Sequence, residues 1–200
     1  MTWVKLCGLS RDEDVAGAAA AGADAIGFVI HPGSPRFVTP EQAGAIGAGV
    51  GIERFLVSVD LAPEALLQAA ATARVTGLQP HGQHRAEAAR AGLSAGYRVL
   101  YPVAVDGPVS LKGVPDGAVP ILDTASSRRH GGTGAAFDWI WAKDVTGDYV
   151  LAGGLTPETV SGAIRYLRPW GVDVSSGIES APGVKDRDLM TSFVEAARWS

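Results

Sequence analysis

Short apolar runs rich in β-branched residues alternate with Ala-rich helical stretches along the whole chain, and this alternation constrains the fold most tightly. Val4 to Cys7 reads as a strand, and Arg11 to Ala21 as a helix that Ser10 can N-cap and Gly22 can end. Ala25 to Ile30 is an unbroken apolar run, as expected when both faces of a parallel strand are covered. Thr39-Pro40-Glu41-Gln42 opens the next helix with Pro at its first position. Further strands are expected over 55–59, 77–79, 98–103, 119–123, 149–151 and 172–175. Further helices are expected over 63–73, 85–93, 137–143, 157–167 and 188–198. After Val103 comes a Pro/Gly-rich connection in which any helix is short or missing.

These segments make eight strand–helix units, and 200 residues divided by eight gives 25 per unit. Strands alternating with helices imply an α/β protein with parallel pairing and right-handed crossovers. Two architectures satisfy that: an open doubly wound sheet and a closed eight-stranded barrel. The turn after the first strand reads Cys7-Gly8-Leu9-Ser10, which is no dinucleotide-binding G-x-G-x-x-G. That turn and the count of eight favour a single-domain (β/α)8 TIM barrel spanning residues 1–200.

Charge excludes several partners. The 17 basic and 21 acidic residues are scattered, giving a net charge of -4 with no like-charge run. Neither a nucleic-acid patch nor a polybasic membrane anchor is present in that pattern. One cysteine permits no intrachain disulfide and suits a reducing compartment. The first residues carry no signal-peptide pattern, and the apolar stretch from Val15 to Ala23 is too short to span a bilayer. A cytoplasmic protein is expected, without nucleic-acid or membrane partners. No long apolar surface helix stands out, so a monomer is expected.

In a barrel, function collects at the C-terminal ends of the strands, and phosphate sites favour the loops after strands seven and eight. Those loops read Ala152-Gly153-Gly154-Leu155 and Val174-Ser175-Ser176-Gly177. Glycine lets backbone N–H groups approach an anion, so the two loops can hold a phosphate, or simply make tight turns. Cys7 ends strand one, with Lys5 on the same face by alternation. It is either a small core residue or a base, and a nearby cation would favour its thiolate. Lys5 is alternatively neutralised inside the barrel by a carboxylate such as Asp173.

Asp123 ends strand six after Pro120-Ile121-Leu122, where partial desolvation would suit a general acid; a loop cap is the other reading. Arg36 sits on a loop stiffened by Pro32 and Pro35, and its guanidinium suits a carboxylate ligand or a plain ion pair. His81 and His84 read as one pocket or loop histidine and one solvated one, with no metal expected. Residues 128–134, Arg-Arg-His-Gly-Gly-Thr-Gly, form a Gly-rich segment that reads as a lid or a connection.

The opening Lys5-Leu6-Cys7-Gly8-Leu9, the segment Gly22 to Val29 and Ser34-Pro35-Arg36 resemble the phosphoribosylanthranilate isomerase family. So do Leu122-Asp123-Thr124, the glycines at 131, 132 and 134, and Phe137-Asp138-Trp139. Ala152 to Leu155, Val172 to Glu179, Pro182-Gly183 and Lys185-Asp186 complete a resemblance that covers essentially the whole chain in order. It implies an Amadori rearrangement of N-(5-phosphoribosyl)anthranilate in tryptophan biosynthesis, without a cofactor. By the same resemblance Asp123 is the general acid and Cys7 the general base. Arg36 binds the anthranilate carboxylate, and His81 belongs to the substrate pocket. Gly153, Gly154, Ser176 and Gly177 cradle the phosphate, and Asp173 contacts a sugar hydroxyl.

The chain departs from the family pattern at Pro80, at Tyr101-Pro102 and at Asp60. Pro80 is expected to distort the end of strand four, because it removes a ladder donor. Two alternatives are a related sugar-phosphate isomerase of histidine biosynthesis and a catalytically silent barrel that binds a phosphorylated metabolite. The first uses two carboxylates, and Cys7 speaks against it; Cys7 and Asp123 together speak against the second.

Overall fold

The apolar runs pair side by side in chain order and close on themselves. The computed structural model describes residues 1–124 and 139–199. Its barrel strands are β1 (Trp3–Cys7), β2 (Ala25–Val29), β3 (Glu53–Val59), β4 (Gly77–His81), β5 (Arg98–Val105), β6 (Val119–Thr124), β7 (Val150–Leu151) and β8 (Gly171–Val174). Every neighbouring pair is parallel, and β8 closes onto β1 with Lys5 opposite Asp173. The expected (β/α)8 architecture is what the chain adopts.

Among the described residues the α-helices are fewer than eight. α1 (Asp12–Ala20), α2 (Pro40–Ile46), α3 (Pro63–Ala73) and α4 (Arg85–Ser94) follow the first four strands. α5 (Pro157–Leu167) and α6 (Arg187–Arg198) follow β7 and β8. Residues 106–118 run between β5 and β6 without a helix, because prolines and glycines interrupt any helical repeat there. The described part of the next connection carries one 3-10 turn, Trp139–Ala142, where a helix over 137–143 was expected. Residues 137 and 138 and the Gly-rich segment 128–134 lie outside the described residues.

Side-chain caps open three of the six described α-helices. Thr39 and Gln42 exchange side-chain and backbone hydrogen bonds in a capping box that opens α2, and Thr156 and Thr159 do the same for α5. The Asp186 side chain accepts from two backbone N–H groups at the start of α6. Ser10, expected to cap α1, does not: Arg11 holds the cap position, and its guanidinium grips buried Asp14 at 2.6 Å. The Ser10 hydroxyl points instead to the carbonyl of Gly183.

Alternation sends Val4, Leu6, Ile26, Phe28, Leu56 and Leu78 out to the helices, where they join the larger apolar core. A smaller cluster of Phe55, Leu100, Ile121 and Val150 fills the barrel. At the N-terminal end Trp3 stacks on Trp170 with ring centroids 5.0 Å apart, and the Arg98 guanidinium lies over both rings at 5.9 and 5.4 Å. These rings plug that end, which leaves the opposite end open for chemistry.

Pro80 alters β4 as its missing N–H requires. β4 stays in register with β3 through His81, but its ladder to β5 stops at Leu78 and Val99. Beyond β8, a 3-10 turn (Ser176–Ile178) leads into a small antiparallel hairpin of β9 (Glu179–Ala181) and β10 (Val184–Lys185). Sequence patterning gave no sign of this hairpin, whose strands are too short to show alternation.

Candidate active site

Strand ends β1, β2, β3, β4, β6 and β8 converge on one pocket at the open end of the barrel. Its walls include Cys7, Arg36, His81, Asp123 and Asp173, five of the nine expected site residues. Val29, Val57 and Val59 supply an apolar side, and His31, Ser34, Gln79 and Ser175 add polar groups.

Beneath Cys7 runs a buried polar chain. Lys5 has no solvent exposure, and its Nζ donates to Asp173 Oδ1 at 2.7 Å and to Gln79 Oε1 at 2.9 Å. The Gln79 amide nitrogen then meets His81 Nε2 at 3.1 Å. Burial acts against the Lys5 ammonium, but the Asp173 carboxylate and the Cys7 sulfur more than offset it and hold its pKa above the usual lysine value.

Lys5 pulls the Cys7 thiol toward the thiolate, as expected, but burial outweighs that pull, Asp173 adds to burial, and the thiol is pushed up. Burial therefore favours the neutral thiol in the resting site. Gly27 on β2 makes the approach of Lys5 and Cys7 feasible. A Cβ there would lie 2.8 Å from Cys7 Sγ and 3.2 Å from Lys5 Nζ.

Arg36 is buried, and its carboxylate partner comes from this chain. Its Nε and Nη2 donate to Glu179 Oε1 and Oε2 at 2.6 and 2.7 Å. Its stem crosses Gly8, where any Cβ would collide with it; Gly8 also has a φ of 76°, which disfavours other residues. Lys185 Nζ reaches the same Glu179 Oε1 at 2.7 Å. Burial works against the Glu179 carboxylate, but Arg36 and Lys185 outweigh it and hold the pKa below the usual carboxylate range.

The remaining four expected residues lie outside the pocket walls. Gly153 and Gly154 take positive φ values of 84° and 67° in the turn after β7. Ser176 and Gly177 begin the 3-10 turn after β8. The two loops touch, because the bare Cα of Gly177 packs on the Leu155 carbonyl, where no side chain fits.

Sequence reasoning passed over several residues that matter here. Gln79 is two residues from His81 on one strand, so alternation places both on the inner face. Val57 and Val59 were legible the same way on β3. Glu179 and Lys185 stood in the motifs without a role, since their meeting depends on the hairpin. Two of the departures stay clear of the pocket wall. Tyr101 lies under the Arg85 guanidinium, 5.8 Å from ring centroid to Cζ, and Asp60 accepts from the Gln83 amide at 2.6 Å with a φ of 53°. Among the described residues no group of three or more His, Cys, Asp or Glu is placed to hold a metal ion, and no helix is long and apolar enough to cross a membrane.

The sequence profile of N-(5'-phosphoribosyl)anthranilate (PRA) isomerase matches residues 4–196, almost the whole chain. The chain belongs to this isomerase family. An N-(5'-phosphoribosyl)anthranilate isomerase from Rubrobacter xylanophilus is 40% identical, over 99% of this chain and 100% of that one. A phosphoribosyl anthranilate isomerase from Thermus thermophilus superposes with a TM-score of 0.89 at 35% identity, covering 99% of each chain. A third relative, solved in complex with reduced 1-(o-carboxyphenylamino)-1-deoxyribulose 5-phosphate, is 33% identical with a TM-score of 0.83 over 100% of both chains.

Proposed function

We infer that this chain catalyses the Amadori rearrangement of N-(5'-phosphoribosyl)anthranilate to 1-(2-carboxyphenylamino)-1-deoxyribulose 5-phosphate, with Asp123 as general acid and Cys7 as general base. The reaction is an aldose–ketose isomerisation and belongs to tryptophan biosynthesis. One observation carries the assignment of roles: Cys7 on β1 and Asp123 on β6 line the same pocket. An acid and a base flanking one sugar are what this chemistry requires.

Asp123 gives its proton to the ribose ring oxygen as the C1–O bond breaks, and the anilino nitrogen supplies the electron pair for a protonated Schiff base. That cation stands beside Cys7 and favours loss of the thiol proton to solvent, giving the thiolate that burial disfavours at rest. The thiolate then takes the proton from C2, whose electrons pass into a C1–C2 double bond and neutralise the iminium nitrogen. The resulting enolamine tautomerises to the aminoketone. Protons move within one molecule, so the reaction calls for no cofactor.

Other groups divide the substrate among them. Val29, Val57 and Val59 offer an apolar bed to the aromatic ring, and Arg36 meets its carboxylate. Asp173 is placed for a sugar hydroxyl, with one oxygen on Lys5. His81 borders the same space, oriented by Gln79. The glycine turns at 153–154 and 176–177 cradle the phosphate through backbone N–H groups. All these residues belong to one chain, which supports a working monomer. A base that must stay a reduced thiol suits the cytoplasm.

The test is the loss of adduct fluorescence when freshly made phosphoribosylanthranilate meets the purified protein. Loss faster than spontaneous hydrolysis, without release of free anthranilate, is expected. A rate equal to hydrolysis would leave a barrel that binds without turnover.

A further inference from the structure

Outside the acid and base lies a buried cluster with unequal charge. The hairpin of β9 and β10 folds Glu179 and Lys185 back over the loop that carries Arg36. Glu179 accepts from Arg36 Nε and Nη2 and from Lys185 Nζ, and Lys185 Nζ also donates to the Ser175 carbonyl at 2.9 Å. The side chains of Arg36, Glu179 and Lys185 are 8%, 4% and 0% exposed. Gly183, at the hairpin turn, is seated on the Pro35 carbonyl, 2.5 Å from where a Cβ would stand. So the hairpin grips the Arg36 loop by backbone contact as well as by charge.

Among the described residues two cations here share one carboxylate, which leaves one buried positive charge in excess. A buried charge is costly unless an opposite charge meets it. Arg36 spends one edge of its fork on Glu179; its Nη1 makes none of these bonds, and the residue lines the pocket. Burial pushes the Lys185 ammonium below the usual lysine value despite Glu179, with Arg36 repelling it, as expected where positive charge is in excess.

We propose that Glu179 and Lys185 are positioning residues that lock Arg36 and leave its end of the pocket one positive charge in excess, so that the enzyme demands a carboxylate on the aromatic amine of its substrate. The proposal rests on the isomerase reading above. Glu179 fixes which edge of Arg36 faces the ligand, and Lys185 prevents Glu179 from neutralising Arg36 alone.

The experiment compares two substrates, phosphoribosylanthranilate and its analogue made from aniline, which lacks the carboxylate. The wild type should favour the carboxylated substrate by about tenfold or more in kcat/KM, the worth of one charge-assisted hydrogen bond. Lys185→Gln removes the excess positive charge and leaves Glu179 to neutralise Arg36 alone, so it should shrink that ratio, chiefly by raising KM for the carboxylated substrate. Lys185→Met should shrink it too, and serves where Lys185→Gln fails to fold. Equal turnover of both substrates by the wild type would overturn the proposal while leaving the isomerase reading intact. A ratio preserved in folded variants would make the cluster a structural clamp and overturn it as well. Turnover of neither substrate by the wild type would remove the isomerase reading, and this proposal with it.

Discussion

Lys5 Nζ stands 2.7 Å from Asp173 Oδ1 inside the barrel, so the cation nearest the Cys7 thiol is already matched by a carboxylate. The pair fixes floor and base together. It ties β1 to β8 at the register position where the barrel closes, and it sets the charge that Cys7 feels.

The resting thiol carries the first consequence. Burial raises Cys7 above the usual thiol value, so the thiolate fraction is small at neutral pH and grows as pH rises. In the free protein, alkylation of Cys7 by iodoacetamide should be slow at neutral pH and accelerate through the alkaline range. Rapid alkylation at neutral pH would show that the pull of Lys5 outweighs burial.

Removing the Lys5 charge should be expensive. Lys5→Met leaves Asp173 in the barrel without its ion-pair partner and should cost about 3–5 kcal/mol of stability. Lys5→Met with Asp173→Asn should cost less than the sum of the single changes, by denaturant unfolding of all four proteins. Additive costs would mean that the two residues do not act as a pair.

Gly27 is predicted to be needed for space alone. Gly27→Ala puts a methyl 2.8 Å from Cys7 Sγ and should cost about 1–3 kcal/mol while lowering kcat more than it raises KM. An unchanged kcat would show that the Cys7 position tolerates the shift.

Glu179 links stability to acid pH. Its carboxyl is held below the usual range in the folded state, so its contribution is full above the unfolded carboxylate value and is lost as pH falls through the lower folded value. Thermal unfolding of the wild type should therefore decline more steeply on acidification than that of Glu179→Gln. Parallel declines would place the acid sensitivity in other carboxylates.

The barrel was legible because each strand carries its own signal. β2 shows an unbroken apolar run, α3 begins and ends where Pro63 and Ala73 suggested, and α2 announces its start through Thr39. The lack of a helix after β5 was legible too, because residues 106–118 carry too many breakers to form one. Cys7, Asp123, Asp173, His81 and Arg36 were found from strand-end position and motif, and the pocket brings them together. The Glu179 clamp was not legible. Glu179 is 143 residues from Arg36, and only the folded hairpin makes them neighbours. Ser10 looked like a cap by residue type, but Arg11 takes that position, with its guanidinium on Asp14.

The division of labour between Cys7 and Asp123 is tested most directly by the turnover of Cys7→Ala and Asp123→Asn on phosphoribosylanthranilate, with thermal unfolding measured on the same samples. Each variant should lose about 10²-fold or more in kcat while unfolding within a few degrees of the wild type. Turnover within a few-fold of wild type in either variant would contradict the assignment. Loss of folding in both would make the two residues part of the core.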